Sequence, residues 1–267
     1  MTITVSLAQM EVAAAEPERN IAKARTLVAE AARRGSDLIC FPEMWTTGFD
    51  WDFNKKEACR HEGVVSRVAA MARQFSIWLN GSMIALDESG SVSNTSVLFS
   101  PDGSMAGVYR KTHLFSPAHE DRHMAPGNCL TAVNAPWGRT GLSICYDLRF
   151  PELFRSYALK GVCVQLCPSA FPYPRLEHWR ILVRARAIEN QMFMIAVNQV
   201  GPARVGSDDG VTFFGSSVII DPWGRTVIEA DECSEMLLTA TIDIEEVTRV
   251  RSAMTVFKDR RPEIYEL

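Results

Sequence analysis

The first 41 residues constrain the fold most, because they read as strand, helix and strand in close succession. Ile3, Val5 and Leu7 alternate with Thr4 and Ser6, the period of a strand. Residues 17–34 then carry Ile21, Ala24, Leu27, Val28 and Ala31 at helical spacing, and Gly35 closes that helix. Residues 37–41 form a short apolar run that reads as a buried strand. A strand, a helix and a second strand in this order predict a parallel pair joined by a right-handed crossover.

The plan recurs further along. Residues 63–75 read as the next helix and 77–86 as the third strand. Residues 96–103 form a strand that runs into a Pro101-Asp102-Gly103 turn, and 217–224 repeat this with Asp221-Pro222-Trp223-Gly224. The helices of the later part are expected over 151–159 and 176–190. Two similar halves, about 1–125 and 126–267, are therefore predicted, each a mixed sheet covered by helices. Two such sheets bury their inner faces against each other, which predicts an α/β fold with four α-β-β-α layers. The whole chain, 1–267, is read as one domain. Its long connections fall at 45–62, 113–129, 168–175 and 201–213, and long ordered loops in a compact domain are usually functional.

Net charge −4 offers no basic face, so neither nucleic acid nor anionic membrane is expected as a partner. The seven cysteines, at 40, 59, 129, 145, 163, 167 and 233, are odd in number and contain no CxxC. That pattern points to free thiols in a reducing compartment. Cys163 and Cys167 sit in an apolar run and read as small core residues. Ala13-Ala14-Ala15 resembles a signal-peptide cleavage site, but no cation precedes it, and Gln9 and Glu11 interrupt the apolar run. No apolar stretch is long enough to span a bilayer, and a cytoplasmic protein is expected.

Three positions carry possible chemistry. Cys145 lies where the strand 141–144 stops and just before a helix beginning at Pro151. Ligands approach the ends of strands in α/β sheets, and the N–H groups opening the next segment can hold negative charge. Such surroundings are expected to lower the thiol pKa below the free value of about 8.5. Taken alone, Cys145 reads more readily as a buried core cysteine. Glu43 follows the strand at 37–41, where apolar neighbours disfavour its charge and raise its pKa toward that of a general base. Lys111 ends a strand at 106–111; alone it reads as a solvated terminus, and beside a thiol it becomes a fixed cation for an oxyanion.

Together these segments resemble the carbon–nitrogen hydrolase (nitrilase) superfamily over essentially the whole chain. The resemblance is carried by Phe41-Pro42-Glu43, by Tyr109-Arg110-Lys111-Thr112-His113-Leu114-Phe115 and by Ile144-Cys145-Tyr146-Asp147-Leu148-Arg149-Phe150-Pro151-Glu152. It continues through His178-Trp179, the 184–190 segment, Gly215-Ser216-Ser217 and Asp221-Pro222-Trp223-Gly224, and the 256–262 segment is similar to the ω-amidase branch. The resemblance implies a Glu43–Lys111–Cys145 triad, a second active-site glutamate at Glu120, and an oxyanion contact from the Tyr146 N–H. It implies covalent hydrolysis of a small amide through a thioester, with no cofactor and no metal. Tyr146-Asp147 stands where true nitrilases usually carry Trp-Glu, so an amide is expected rather than a nitrile. The whole motif looks most like amidases acting on ω-amides of dicarboxylic acids or on deaminated glutathione. The substrate carboxylate then needs a cation, for which Arg149, Arg175 and Arg204 are candidates. A homodimer or larger homo-oligomer, joined through the helix after Cys145 and the C-terminal segment, is also implied.

Other readings remain beside this one. A carbamoyl-amine hydrolase or a nitrilase would use the same triad. A non-catalytic interaction protein on this fold would be expected to lack a triad member, and none is missing. His119-Glu120-Asp121-Arg122-His123 also fits H-E-x-x-H, a zinc-hydrolase signature. That motif needs a continuous helix and a third ligand, whereas Pro117 and Pro126-Gly127 bracket the segment closely.

Overall fold

The computed structural model describes residues 1–58, 61–86 and 90–265, so Cys59 lies outside the described residues. Its framework is a pair of six-stranded sheets. The first contains β1 (Thr2–Gln9), β2 (Leu38–Cys40), β3 (Trp78–Leu86), β4 (Val92–Phe99) and β5 (Met105–Arg110). The second contains β6 (Ala132–Ala135), β7 (Gly138–Leu142), β8 (Val164–Ser169) and β9 (Phe193–Asn198). After the hairpin β10 (Val200–Val205) and β11 (Asp208–Phe214), the second sheet is completed by β12 (Val218–Ile220) and β13 (Thr226–Glu229). The last strand, β14 (Met236–Asp243), crosses back to the first sheet.

The strand orders are β14-β1-β2-β3-β4-β5 and β6-β7-β8-β9-β12-β13. In both, the second, third and fourth strands are parallel and their outer neighbours antiparallel. The two halves therefore match strand for strand, except that the first sheet borrows its outermost strand from the C-terminal end. This corrects the division at residue 125. β1 is almost wholly buried and would otherwise expose a row of unpaired backbone groups. β14 pairs with its full length, from Thr2 opposite Asp243 to Gln9 opposite Met236.

Helices α1 (Pro17–Arg33) and α3 (His61–Phe75) belong to the first half, and α5 (Pro151–Leu159) and α6 (Leu176–Asn190) to the second. Strand alternation shows the layering. Leu38 and Cys40 pack in the core shared with Leu142, Leu166 and Ile195 of the other sheet, whereas Ile39 and Phe41 pack with Ile21, Ala24, Val28 and Val68 of the helices. Period-two side-chain placement thus sends successive residues to opposite faces, and both faces are apolar because both are covered. The result is the expected α-β-β-α sandwich. α7 (Glu245–Ala253) follows β14 near the C-terminal end. Among the described residues no helix is long and apolar enough to cross a membrane.

The segments read as loops contain more structure than expected. Residues 45–62 include α2 (Trp51–Glu57), whose first turn is capped by the Asp50 carboxylate accepting from the Phe53 N–H at 2.9 Å. Residues 113–129 include a 3₁₀ turn at Ser116–Ala118 and a single helical turn, α4 (Glu120–His123). The 201–213 stretch is mostly the β10–β11 hairpin, whose Gly, Pro and Asp content conceals its pairing from a periodicity argument.

Candidate active site

Four segment ends converge between the sheets. Glu43 leaves the end of β2, and its backbone crosses to the other sheet: its N–H donates to the Ser169 carbonyl at 3.2 Å and its carbonyl accepts from Gln199 Nε2 at 2.7 Å. Lys111 follows β5, where its N–H donates to the Asn94 carbonyl at 2.9 Å. Glu120 opens α4, and the chain then returns so that the Gly127 N–H donates to the Lys111 carbonyl at 2.8 Å. That return requires glycine, since a Cβ on Gly127 would stand 2.2 Å from the Arg110 carbonyl oxygen. Cys145 follows the end of β7 and opens a 3₁₀ turn, Cys145–Arg149, with φ of +44°. A non-glycine residue in this left-handed region is uncommon, and such outliers cluster at functional sites.

The buried side chains form one hydrogen-bonded network. Lys111 Nζ donates at 2.7 Å to Glu43 Oε1 and at 2.7 Å to Glu120 Oε2, with all three side chains about 2% exposed. Asn94 Nδ2 donates to both carboxylates, at 2.8 Å to Glu43 Oε1 and 3.1 Å to Glu120 Oε1. The Phe115 N–H adds a 2.7 Å bond to Glu120 Oε2. The Cys145 thiol is close enough to Glu43 to feel its charge, and its sulfur accepts from the Ala170 N–H at 3.5 Å. At the start of the 3₁₀ turn the Tyr146 N–H has no acceptor among the described residues, as is usual for the first donors of a helix.

Burial raises the Glu43 pKa above the ordinary carboxylate range; Lys111 opposes this, and the Glu120 charge adds to it. Burial also works against the Lys111 ammonium, but Glu120 and Glu43 overcome it and hold its pKa well above the ordinary value. For Cys145, burial and the neighbouring Glu43 charge push the thiol pKa well up, against the smaller pull of Lys111. This reverses the lowering expected from the strand-end position. Two carboxylates surround one ammonium, so the resting sulfur keeps its proton and a base must remove it.

A cavity of about 620 Å³ opens onto Glu43, Lys111, Glu120 and Cys145. The three candidate arginines differ sharply around it. Arg175 lines the cavity with its guanidinium over the Phe115 ring at 5.5 Å, and no carboxylate pairs with it among the described residues. Arg204 also lines the cavity, but it donates to the Gly206 carbonyl at 3.0 Å and pairs with Asp209 at 3.4 Å. Arg149 does not line it; its guanidinium lies over the Tyr146 and Phe171 rings at 5.9 and 5.6 Å. Aromatic faces, rather than a ligand, occupy that charge.

The H-E-x-x-H segment lacks the geometry its zinc reading needs. His119 sits before α4 with φ of +59°, the helix spans only four residues, and both His119 and His123 are exposed while Glu120 is buried. Two histidines so placed do not share a face of a continuous helix.

Asn94, Gln199 and Ala170 take part in this network without having been singled out by sequence. Asn94 left one signal: Ser93-Asn94-Thr95-Ser96 is a polar run inside a strand that is otherwise core. Gln199, through its side-chain amide, and Ala170, through its backbone N–H, join distant segments, which no local pattern encodes.

Residues 4–252 match the carbon–nitrogen hydrolase family. The chain is 33% identical to a 2-oxoglutaramate amidase of Bacillus subtilis (strain 168) over 99% of this chain and 100% of the relative. It is 30% identical to an omega-amidase of Mus musculus, covering 99% and 97% of the two chains. Its fold superposes on a carbon–nitrogen hydrolase from Helicobacter pylori G27 with a TM-score of 0.92 and 27% identity, over 99% of this chain and 97% of the other. With a matching sequence across nearly its whole length and a matching fold around the buried cysteine, the chain belongs to the carbon–nitrogen hydrolase family and is an enzyme of carbon–nitrogen bond hydrolysis.

Proposed function

We propose that this enzyme is an amidase that hydrolyses the terminal amide of a small dicarboxylic acid monoamide, of the kind named in its 2-oxoglutaramate amidase and omega-amidase relatives. The observation that carries this reading is one cavity lined by a thiol, an acid–ammonium pair and an arginine that, among the described residues, has no carboxylate partner. Arg175 is the cation that suits a substrate carboxylate, through paired N–H donors. Phe115 beneath it gives an apolar wall for the intervening methylenes.

In this mechanism Glu43 takes the Cys145 proton as the sulfur attacks the amide carbon. The resulting oxyanion is held by the Lys111 ammonium and the Tyr146 N–H, donors worth roughly 3–4 kcal/mol each in comparable sites. Glu43 passes its proton to the amide nitrogen, the carbon–nitrogen bond breaks, and ammonia leaves a thioester on Cys145. Water, deprotonated by Glu43, then attacks the thioester; the acid departs and the thiol is restored. Glu120 accepts from Lys111 and from the Phe115 N–H, which fixes the ammonium beside the reacting carbon. This is covalent catalysis by a nucleophile activated in place, and the scheme calls on no cofactor.

Ammonia release from 2-oxoglutaramate, succinamate, glutamine, neutral aliphatic amides, carbamoyl amines and nitriles tests the assignment. Turnover of the carboxylate-bearing amides is expected to exceed the rest. Faster turnover of carbamoyl amines or nitriles would move the enzyme to another branch of the same chemistry. We also propose that residues 1–267 act as one domain, in the cytoplasm, as a homodimer or larger homo-oligomer. Light scattering tests the assembly, with a monomer mass as the refuting result.

A further inference from the structure

Two residues beyond the nucleophile, Asp147 is wholly buried, and among the described residues neither Arg nor Lys pairs with it. Its four contacts go to two segments from different sheets. Oδ2 accepts from the Ile144 N–H and from the Tyr109 hydroxyl, both at 2.8 Å. Oδ1 accepts from the His113 N–H at 3.2 Å and lies 2.8 Å from His113 Nδ1. Tyr109 and His113 straddle Lys111, two residues to each side, while Ile144 immediately precedes Cys145. One carboxylate thus fastens both flanks of the lysine to the turn that holds the sulfur.

The surroundings reinforce this fastening. The Tyr109 hydroxyl accepts from the Thr112 N–H at 3.2 Å and contacts Thr112 Oγ1 at 2.7 Å, closing the strap around Lys111. Burial and the Asp147 charge both raise the Tyr109 pKa, keeping its hydroxyl a donor. The His113 ring stacks on Phe150 at 3.6 Å, and Phe150 meets Tyr146 edge-on at 5.3 Å. Neither Asp147 nor its partners line the cavity.

We propose that Asp147 is a positioning residue: through Tyr109 and His113 it sets the Lys111 ammonium in register with the Cys145 turn. The proposal rests on the reading of Cys145 as nucleophile and Lys111 as the oxyanion's cation. A displacement of about 1 Å between such groups costs roughly 100-fold in rate.

The test compares Asp147→Asn, Tyr109→Phe and His113→Phe by kcat, KM and single-turnover acylation, each normalised to folded enzyme by circular dichroism. The two phenylalanine variants keep a ring in place and remove the bond to Asp147; Tyr109→Phe also removes the two contacts of its hydroxyl with Thr112. The expected result is a kcat loss of about 100-fold for Asp147→Asn and about 10-fold for each of the others, with acylation slowed in parallel and KM within about threefold. In addition, Asp147→Asn should cost clearly less when Tyr109→Phe is already present, since both remove the same contact. Should Asp147→Asn fail to fold, the two phenylalanine variants decide. Wild-type kcat in both of them, or an Asp147→Asn loss that only follows the folded fraction, overturns the proposal. Cys145→Ala separates the two levels: an active alanine variant sinks the underlying reading, whereas an inactive one beside fully active Tyr109→Phe and His113→Phe sinks the positioning role alone.

Discussion

Replacing Glu120 by glutamine tests how the base is tuned. Glu43 and Glu120 each accept a 2.7 Å bond from Lys111 Nζ, which keeps the two bonded oxygens within about 5.4 Å of one another. At that separation two like charges at an effective dielectric of about 20 repel by about 3 kcal/mol. The Glu120 charge is one of the influences that hold the Glu43 pKa up, next to the larger effect of burial. The proposed mechanism needs Glu43 ionised to receive the thiol proton, so activity is lost as pH falls through its pKa. Removing the Glu120 charge lets Glu43 stay ionised to lower pH. The acid limb of kcat/KM in Glu120→Gln should therefore move to lower pH. Its plateau should fall as well, because a weaker base accepts the thiol proton less readily and Lys111 loses a charged anchor. The assay is ammonia release against pH for wild type and variant with the same amide. An acid limb that stays in place or moves up would refute the coupling between the two carboxylates.

Cys145→Ala should abolish turnover and Glu43→Gln should nearly do so; an acyl adduct found by mass spectrometry on any other cysteine would contradict the scheme. Asn94→Ala leaves both carboxylates short of a donor, and hydrogen bonds to charged groups contribute about 1.5–3 kcal/mol. Denaturant titration should show a loss of that order or larger, and an unchanged midpoint with unchanged kcat would remove Asn94 from the network. Because the Cys145 thiol pKa is raised, iodoacetamide at neutral pH should label the exposed Cys129 and Cys233 faster than Cys145. Peptide mapping reads the order directly, and preferential labelling of Cys145 would show a thiolate at rest.

Much of the framework was legible because it repeats local rules. Alternation in β1, the helical spacing of α1 and the run at 37–41 each report burial within a few residues, and burial is what builds the layers. The hairpin at β10–β11 was not legible, since its Gly201, Pro202 and Gly206 read as breakers while cross-strand pairing from Val200–Phe214 to Val205–Asp208 holds it together. The thiol pKa went the other way from its expectation for a related reason. A strand end can lower a thiol pKa, but here burial and a carboxylate 102 positions away in the chain outweigh it.

By itself the sequence determined the α/β layering, the two-half plan and the three motifs around Glu43, Lys111 and Cys145, because each is written in adjacent residues. Only the tertiary structure decided which arginine lines the cavity with no carboxylate partner among the described residues, which neutral groups hold the carboxylates, and where the last strand goes. Those outcomes depend on pairwise distances between segments far apart in the chain. Electrostatic and hydrogen-bond energies change steeply with such distances, while residue order leaves them open.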